Sequence, residues 1–434
     1  MKRPPPGPPQ QRFPAVRRPM RDGAPPQARA RGVKVREGQY RLNDDVARRV
    51  ELGHPWIFRE AVGRPVTEPT GAVVEVIAGN REFLGRGFVD QDHPVAIRML
   101  SRSPGEAVQP GAGTIARRFK DAVQARWMLF GANKPQAMRL FTGDSEGLPG
   151  VTVDRYGDFV LVQWLSAGVL PWRDELLDAI ESSVRPRGIY EQRRLRPLGG
   201  QAAPEAAVRA RGEEAPLEIV IEESGAKIAV DVTAPLGVGM FPDLRLGRDA
   251  VAARAQGRRV ANLFSYTGAF SVRAALAGAT EVVAVDTAAR VHARARRNYE
   301  LSGLDPAKME QVTGDAQKTL EKFADRGRRF DLVVCDPPTF SHGNAPSESF
   351  SVTRDMVQVI AASLRVLDPG GILALCTNSV KMTPADLDRA LAEAGAVANT
   401  TVRIIERVGL PPDHMVAPGF PEGNYLKFLM ALRL

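Results

Sequence analysis

The strongest constraint on the fold is the regular alternation of apolar strands and amphipathic helices from about residue 217 to the C-terminus. Four or more apolar residues in a row predict buried strands, and helical periodicity separates them. The predicted strands are Val260–Phe264, Glu281–Asp286, Met309–Val312, Phe330–Cys335 and Gly371–Cys376, with helices over Ala269–Ala277 and Ala288–Leu301. Strands that alternate with helices predict an α/β fold with a doubly wound, mostly parallel sheet. The last segment, Asn424–Leu434, can close this sheet as an antiparallel strand.

The first half of the chain has a different pattern. Residues 38–105 alternate short apolar runs with turn residues, which predicts a small β-barrel. A mixed α+β region follows: helical periodicity over Ile115–Leu129 and Arg173–Val184 flanks a predicted strand at Asp158–Trp164. The segment Leu198–Pro216 is rich in Gly, Pro, Glu and Ala, and we interpret it as an exposed linker or loop.

Positive charge is concentrated at the N-terminus. Residues 1–36 contain ten Lys or Arg and one acidic residue, a surplus that equals the net charge of +9 for the whole chain. The same segment is rich in proline, so we expect it to be disordered rather than to contribute a core. A solvated basic arm favours polyanions such as RNA, although a solubility tail without a specific partner would have the same composition.

Several classes of protein are disfavoured by composition. No apolar run is long enough to span a membrane, and the charged N-terminus does not have the pattern of a signal peptide. The two cysteines, Cys335 and Cys376, lie in separate strand-like runs, which argues against a disulfide framework and fits a reducing cytoplasm. The five histidines do not pair at metal-ligand spacing, so we predict no metal.

A candidate ligand site follows the first strand of the C-terminal region. The turn reads Asn262-Leu-Phe-Ser-Tyr-Thr-Gly-Ala-Phe, in which Gly268 would let the backbone approach a ligand at the start of the next helix. It does not contain the three glycines of a dinucleotide fingerprint, which favours a cofactor without a pyrophosphate.

Acidic residues end the next two strands. Asp286 is placed to accept hydrogen bonds from ribose hydroxyls, and Asp315, in Gly314-Asp-Ala, is placed to accept one from an adenine amino group. Each acid alone would also serve as a helix N-cap. Because ligands of open α/β sheets bind at the carboxyl ends of strands, three such sites on consecutive strands favour a nucleoside pocket.

The fourth strand ends in Asp336-Pro-Pro-Thr-Phe-Ser. Two prolines stiffen the backbone and leave carbonyl oxygens as acceptors without matching donors. Such acceptors can hold a planar base by its N–H groups, and Phe340 can stack on a flipped-out base. The alternative is a simple turn at the end of a strand.

These motifs give the chain a specific resemblance. It resembles the large-subunit ribosomal RNA methyltransferases that join an N-terminal PUA domain to a class I, Rossmann-like domain dependent on S-adenosylmethionine (SAM). The features run from about residue 38 to the C-terminus. They are Gly53-His-Pro-Trp-Ile-Phe, Asp144-Ser-Glu-Gly-Leu-Pro-Gly, Gly239-Met-Phe-Pro-Asp-Leu-Arg, the turn at Asn262, Asp336-Pro-Pro-Thr-Phe, Asp413-His and Pro421-Glu-Gly-Asn-Tyr-Leu-Lys.

The resemblance implies a cytoplasmic enzyme that uses SAM to methylate large-subunit (23S) ribosomal RNA and that can form a homodimer. It divides the chain into a basic tail (1–33), a PUA-like RNA-binding domain (34–107), a central α+β domain (108–200), a linker (201–216) and a methyltransferase domain (217–434). The candidate cofactor-binding residues are Arg245, Asn262, Phe264, Ser265, Tyr266, Thr267, Gly268, Asp286, Asp315 and Ala316. The candidate catalytic residues are Asp336, Pro337, Pro338, Phe340 and Asn378. We expect His54 and Trp56 to close the barrel rather than to contact RNA.

The acceptor atom depends on the cysteines. Cytosine C5 is a poor nucleophile, and its methylation needs a cysteine thiolate that adds to C6. Asn378 occupies the position of that cysteine in the C5-cytosine members, and Cys376 lies two residues earlier. Asp336-Pro-Pro-Thr-Phe-Ser together with the Asn378 region resembles the guanine-N7 enzymes instead. We therefore favour a ring or exocyclic nitrogen as acceptor, with C5 methylation through Cys376 or Cys335 as the alternative.

Two further functions fit parts of the sequence. A nicotinamide-dependent dehydrogenase would suit the sheet and Asp286 but not the missing glycine fingerprint. A non-catalytic RNA-binding or ribosome-assembly protein would explain Asn378 in place of a nucleophile, but it would not need the carboxylates at 286, 315 and 336.

Overall fold

The fold is described from a computed structural model that covers residues 38–195, 198, 205–341 and 350–434. The predicted basic tail, residues 1–33, lies outside the described residues. Each helix among these residues is too short or too polar to cross a membrane. Across the same residues, His, Cys, Asp and Glu side chains do not gather in a group of three that could hold a metal ion.

The N-terminal part is a curled five-stranded sheet with one helix. Its elements are β1 (Gln39–Arg41), α1 (Asp44–Glu51), β2 (Trp56–Phe58), β3 (Val73–Ile77), β4 (Phe83–Val89) and β5 (Val95–Ser101). The strand order is β1-β3-β4-β5-β2, in which only β1 and β3 are parallel. Apolar residues alternate into one core that includes Tyr40, Val76 and Ile97. The small β-barrel predicted from the alternating pattern corresponds to this sheet.

The central part has a second five-stranded sheet covered by two helices. Its elements are α2 (Thr114–Phe130), β6 (Ala137–Thr142), α3 (Gly143–Glu146), β7 (Val151–Tyr156), β8 (Phe159–Trp164), α4 (Arg173–Val184), β9 (Gly188–Arg193) and β10 (Val208–Gly212). The order is β10-β9-β8-β7-β6. The segment expected to be a linker, 201–216, thus contains a strand: β10 pairs antiparallel with β9. The sequence pattern did not indicate this strand, because its five residues are exposed or half-buried and do not form an apolar run.

A hairpin of β11 (Ile219–Glu223) and β12 (Ala226–Val230) leads into the C-terminal sheet. That part comprises α5 (Arg245–Ala252), β13 (Arg259–Leu263), α6 (Ala269–Leu276), β14 (Glu281–Asp286), α7 (Ala289–Leu301), β15 (Met309–Thr313), α8 (Ala316–Asp325), β16 (Phe330–Cys335), β17 (Phe340–Ser341), β18 (Phe350–Ser351), α9 (Val352–Val366), β19 (Leu367–Thr377), α10 (Pro384–Val397), β20 (Val402–Val408) and β21 (Lys427–Arg433). The predicted strands and helices lie within a few residues of these elements.

The seven-stranded sheet has the order β15-β14-β13-β16-β19-β21-β20. Strands β13 to β16 and β19 are parallel, and β21 is antiparallel to β19, as predicted for the last segment. Apolar layers cover both faces, which is why these strands are almost continuously hydrophobic. Strand β20 was not predicted because it alternates half-buried and exposed residues at the sheet edge. The chain order reverses between β13 and β16, so ligands are expected where those two strands end.

His54 and Trp56, which we expect to close the barrel, contact Arg49 and Arg98 within it and also reach beyond it. His54 is buried, and its Nε2 lies 3.1 Å from Glu422 Oε2. The Trp56 ring packs on Phe420, with 4.6 Å between ring centroids, and its indole N–H donates to Asp144. Both side chains therefore join the N-terminal sheet to the other two parts of the chain, through pairs so far apart in sequence that spacing could not indicate them.

Candidate functional site

The turn after β13 has an unusual backbone. Phe264 and Tyr266 have φ values of +54° and +48°, a region that non-glycine residues seldom occupy. Gly268 has φ of +75° and begins α6, and a Cβ there would lie 3.0 Å from Ala295 Cβ. The backbone thus approaches α7 closely at this glycine. Strained residues of this kind cluster at ligand-binding sites, so the turn itself points to a ligand.

Hydrogen bonds hold the turn in place. The hydroxyl of Tyr266 donates to the Gly237 carbonyl oxygen (2.8 Å), and that of Thr267 donates to Gly239 (2.5 Å). The Tyr266 amide donates to Asp286 Oδ2 at 2.9 Å, which fixes the carboxylate at the end of β14. The segment before α5 is therefore fastened against the strand ends.

A cavity of about 410 Å³ opens above the carboxyl ends of β13, β14, β15 and β16. It contains most of the predicted site residues: Phe264, Ser265, Tyr266, Thr267, Asp286, Asp315, Ala316, Asp336, Pro337, Pro338 and Asn378 line it. Strand ends from distant parts of the sequence meet here because parallel strands end at one edge of the sheet.

Of the four remaining predicted residues, three do not line this cavity and the fourth, Phe340, has a side chain that is not described. Asn262 is buried beneath it and donates to Ser271 Oγ (3.0 Å), which ties β13 to α6, and Gly268 shapes the turn from behind. Arg245 is buried elsewhere, where its Nη2 lies 2.5 Å from Asp413 Oδ1. Its side chain therefore serves an internal ion pair. Phe340 lies in β17, and its side chain is outside the described part of the chain.

Another part of the wall was not predicted. Met240, Phe241, Asp243, Leu244 and Arg248 line the cavity from the side of the segment that precedes β13. In the sequence, only the family motif and Arg245 mark this segment. Phe241, an aromatic residue between Met240 and Pro242, is the sequence feature that could have indicated this wall. Its side chain is 47% exposed.

Asp336 is the titratable residue most affected by this environment. Burial raises its pKa to about 6, and the nearby carboxylate of Asp243 acts in the same direction. Neither cysteine is a ready nucleophile: Cys335 and Cys376 are 0% and 1% exposed, and burial raises the pKa of both thiols. Beside Asp336, the Thr339 hydroxyl donates to Asn378 Oδ1 at 2.8 Å.

The residues present fit SAM. The Ser265 hydroxyl is buried and has no hydrogen-bond partner among the described residues, as expected of a group that awaits a ligand. Asp286 retains acceptor capacity beside its bonds to the amides of Tyr266 and Ala288. Apolar wall residues such as Phe264, together with these acceptors, suit a nucleoside.

Comparisons with known proteins identify the family. Residues 182–428 match the family of S-adenosylmethionine-dependent methyltransferases, and residues 41–102 match the PUA-like domain. The "Ribosomal RNA large subunit methyltransferase I" of Shewanella denitrificans is 33% identical over 389 residues, which cover 88% of this chain and 96% of that protein. The protein of the same name from Escherichia coli is 33% identical over 377 residues, 86% of this chain and 94% of its own.

Solved structures give the same result. A methyltransferase complexed with SAH superposes with a TM-score of 0.81 at 26% identity, over 91% of this chain and 100% of that one. A SAM-dependent methyltransferase from Streptococcus mutans superposes with a TM-score of 0.80 at 26% identity and the same coverage. These matches decide against the dehydrogenase alternative. The chain belongs to the family of S-adenosylmethionine-dependent methyltransferases that carry an N-terminal PUA-like domain.

Proposed function

We propose that this enzyme methylates a base of large-subunit (23S) ribosomal RNA, with a ring or exocyclic nitrogen as the acceptor. The observation that carries the proposal is the single cavity in which Asp286, Asp315, Asp336 and Asn378 meet. The names of the curated relatives support ribosomal RNA as the substrate. A substrate of this kind fits the cytoplasmic location expected from the sequence.

The cofactor would occupy the part of the cavity near the ends of β13, β14 and β15. Asp286 would accept from the ribose hydroxyls, Asp315 would accept from the adenine amino group, and the Ser265 hydroxyl would find its missing partner. Bound SAM supplies an electrophilic methyl group on a sulfonium centre.

The base would lie beside Asp336, Pro337 and Pro338. The proline carbonyls and the Asp336 carboxylate accept hydrogen bonds, so they would hold the N–H edge of a base. The Thr339 to Asn378 hydrogen bond connects this loop to the end of β19 and would keep it in place. For a nitrogen acceptor, such positioning is most of the catalysis, since no covalent nucleophile is required. Stacking of Phe340 on the base stays a prediction.

The cysteines favour nitrogen over cytosine C5. A C5 mechanism needs a thiolate that reaches the base. Cys376 and Cys335 are buried in strands, and burial raises both pKa values, which disfavours the thiolate. The C5 alternative therefore requires a thiol to become exposed and ionised before it could react.

Several finer points remain predictions: binding of RNA by residues 1–33, the domain boundaries, catalysis without a metal, and a homodimer. The match to the methyltransferase family decides against the non-catalytic alternative, which Asn378 in place of a C5 nucleophile had suggested.

The decisive experiment is methyl transfer from labelled SAM to ribosomal RNA, supplied naked and as assembled large subunits, followed by mass spectrometry of the nucleosides. We expect a methylguanosine or methyladenosine product. A 5-methylcytidine product would assign the reaction to Cys376 or Cys335 instead. SAM binding without methylation of any RNA would favour the non-catalytic alternative.

A further inference from the structure

A second, smaller cavity of about 120 Å³ lies between the central sheet and the segment that precedes α5. Asp154 and Gln163, on β7 and β8, line one side of it. Met240, Phe241 and Asp243 line the other side, and these three residues also belong to the wall of the cofactor cavity. The two cavities are therefore neighbours that share a wall.

The polar groups of this second cavity are held by the protein itself. Arg139 Nε donates to Asp154 Oδ1 at 2.6 Å, and Asp154 is only 4% exposed. The Arg139 amide donates to Asp413 Oδ2 at 2.9 Å. An ion pair anchored in this way needs no rearrangement when a ligand arrives, which lowers the cost of binding.

Two side chains offer unused acceptor capacity. Asp243 receives a hydrogen bond from the Tyr425 hydroxyl on Oδ2 (2.8 Å), and a carboxylate can accept several. Gln163 donates through Nε2 to Gln192 Oε1 (2.8 Å), and its own amide oxygen accepts no hydrogen bond from any residue that the structure describes. Beside the guanidinium groups of Arg139 and Arg194, the cavity thus presents acceptors that match N–H donors of a ligand.

The rim is apolar and exposed. Phe241 is 47% exposed and Leu236 is 61% exposed, and the Phe241 ring lies 5.4 Å from the Tyr266 ring between centroids. Proteins bind unstacked bases by combining an aromatic surface with hydrogen bonds to the base edge. Phe241 supplies the first of these features, and the acceptors behind it supply the second.

We propose that this second cavity binds a nucleobase of the substrate RNA, stacked on Phe241 and held by an edge rich in N–H donors, as guanine has. The inference rests on the proposed function in one respect, that the substrate is an RNA. Because of the shared wall, a base bound here would hold the RNA directly beside the cofactor cavity.

The test uses Gln163→Leu in the full chain, since Gln163 lines the second cavity and not the cofactor cavity. Leucine is of similar size but has no acceptor, whereas Gln163→Glu keeps acceptor oxygens. Gln109→Leu is the matched control, because Gln109 is exposed before α2 and lines neither cavity. The measurements are the Kd for a large-subunit ribosomal RNA transcript, the KM for that RNA, the Kd for SAM and the Tm.

We expect Gln163→Leu to raise the Kd and KM for RNA about tenfold, the value of one hydrogen bond to a buried site, and to leave SAM binding unchanged. Its Tm should fall no further than that of Gln163→Glu, because both variants lose the donor to Gln192. Gln163→Glu should restore most of the affinity, and Gln109→Leu should match the wild type.

An RNA affinity unchanged by Gln163→Leu would overturn the second site even if the wild type methylates RNA. A wild type that binds RNA without methylating it, with affinity still lost in Gln163→Leu, would contradict the proposed function and support the site. If the wild type bound no RNA, both proposals would be overturned.

Discussion

Thr339 donates a hydrogen bond from its hydroxyl to Asn378 Oδ1 over 2.8 Å and so joins the loops that follow β16 and β19. The two residues are separated by 39 positions in the sequence. Both line the cavity at the strand ends, on the side of Asp336. The bond fixes the spacing between the two loops where the acceptor base is proposed to lie.

Removing this bond should slow methyl transfer without weakening the cofactor site. We expect Asn378→Ala to lower kcat/KM for RNA by about 100-fold, since a shift of about 1 Å in a reacting group can cost that much. Thr339→Val should produce a similar loss, and the double variant should be no worse than either single one. The Kd for SAM, measured by calorimetry, should stay unchanged. Additive losses in the double variant would show that the two residues act separately.

The cysteines should be dispensable. Cys376→Ala and Cys335→Ala should each keep methyl transfer within a few-fold of the wild type and cost about 1 kcal/mol of stability, as small cavities in a core do. Labelled SAM and single-turnover kinetics provide the measurement. Loss of more than about a thousandfold in one variant, with Tm preserved, would establish a covalent C5 mechanism.

Asp286 should contribute to cofactor affinity. Asp286→Ala is expected to raise the Kd for SAM by about 10- to 100-fold, because charge-assisted hydrogen bonds to the ribose would be lost. Asp305→Ala is a matched control: each carboxylate accepts from the amide two residues later at 3.0 Å, but Asp305 lines neither cavity. Equal changes in the Kd for SAM in the two variants would show that Asp286 only stabilises its local turn.

Activity should depend on the ionisation of Asp336. Its pKa is raised to about 6 by burial, so the carboxylate is protonated below that pH and loses acceptor capacity. The rate of methyl transfer should therefore fall as the pH drops through about 6, measured from about pH 5 to about pH 8. Asp336→Asn should be slower throughout and should not show this inflection. An unchanged inflection in Asp336→Asn would assign it to another group.

The same residue should reduce stability at neutral pH. With a folded-state pKa above the unfolded value of 3.8, the native protein binds the proton more tightly, so stability is lost as pH rises through about 6. Asp336→Asn should therefore increase the free energy of unfolding at pH 7 by about 3 kcal/mol and have little effect near pH 4. A destabilised variant at pH 7 would mean that the carboxylate has a structural role.

The buried Arg245–Asp413 ion pair should be important for stability. Asp413→Ala removes a fully buried partner of Arg245 and of the Arg139 amide, and we expect it to destabilise the protein by about 3–5 kcal/mol. Asp388→Ala, which breaks an exposed pair with Arg407, should change stability by about 0.5 kcal/mol at most. Denaturant unfolding of both variants makes the comparison. A small effect at Asp413 would indicate that water replaces the missing carboxylate.

The sequence by itself determined the C-terminal sheet and most of the residues that line the cavity at its strand ends. Buried parallel strands consist of nearly continuous apolar residues, so the runs of apolar residues in the sequence predict β13, β14 and β16. Because such strands end at one edge, Asp286, Asp315 and Asp336 could be grouped without coordinates.

Tertiary structure decided what depends on contacts between distant segments. Arg245 was assigned to the cofactor, but its charge is buried against Asp413, 168 positions later. His54 and Trp56 were assigned to the barrel, but they pack against Phe420 and hydrogen-bond to Glu422 and Asp144. The second cavity forms where the central sheet meets the segment that precedes α5. The Thr339–Asn378 hydrogen bond forms where the loops after β16 and β19 meet. The local pattern of apolar and polar residues indicates which residues are buried. The hydrogen-bond partner of a buried polar group, by contrast, depends on packing between distant parts of the chain.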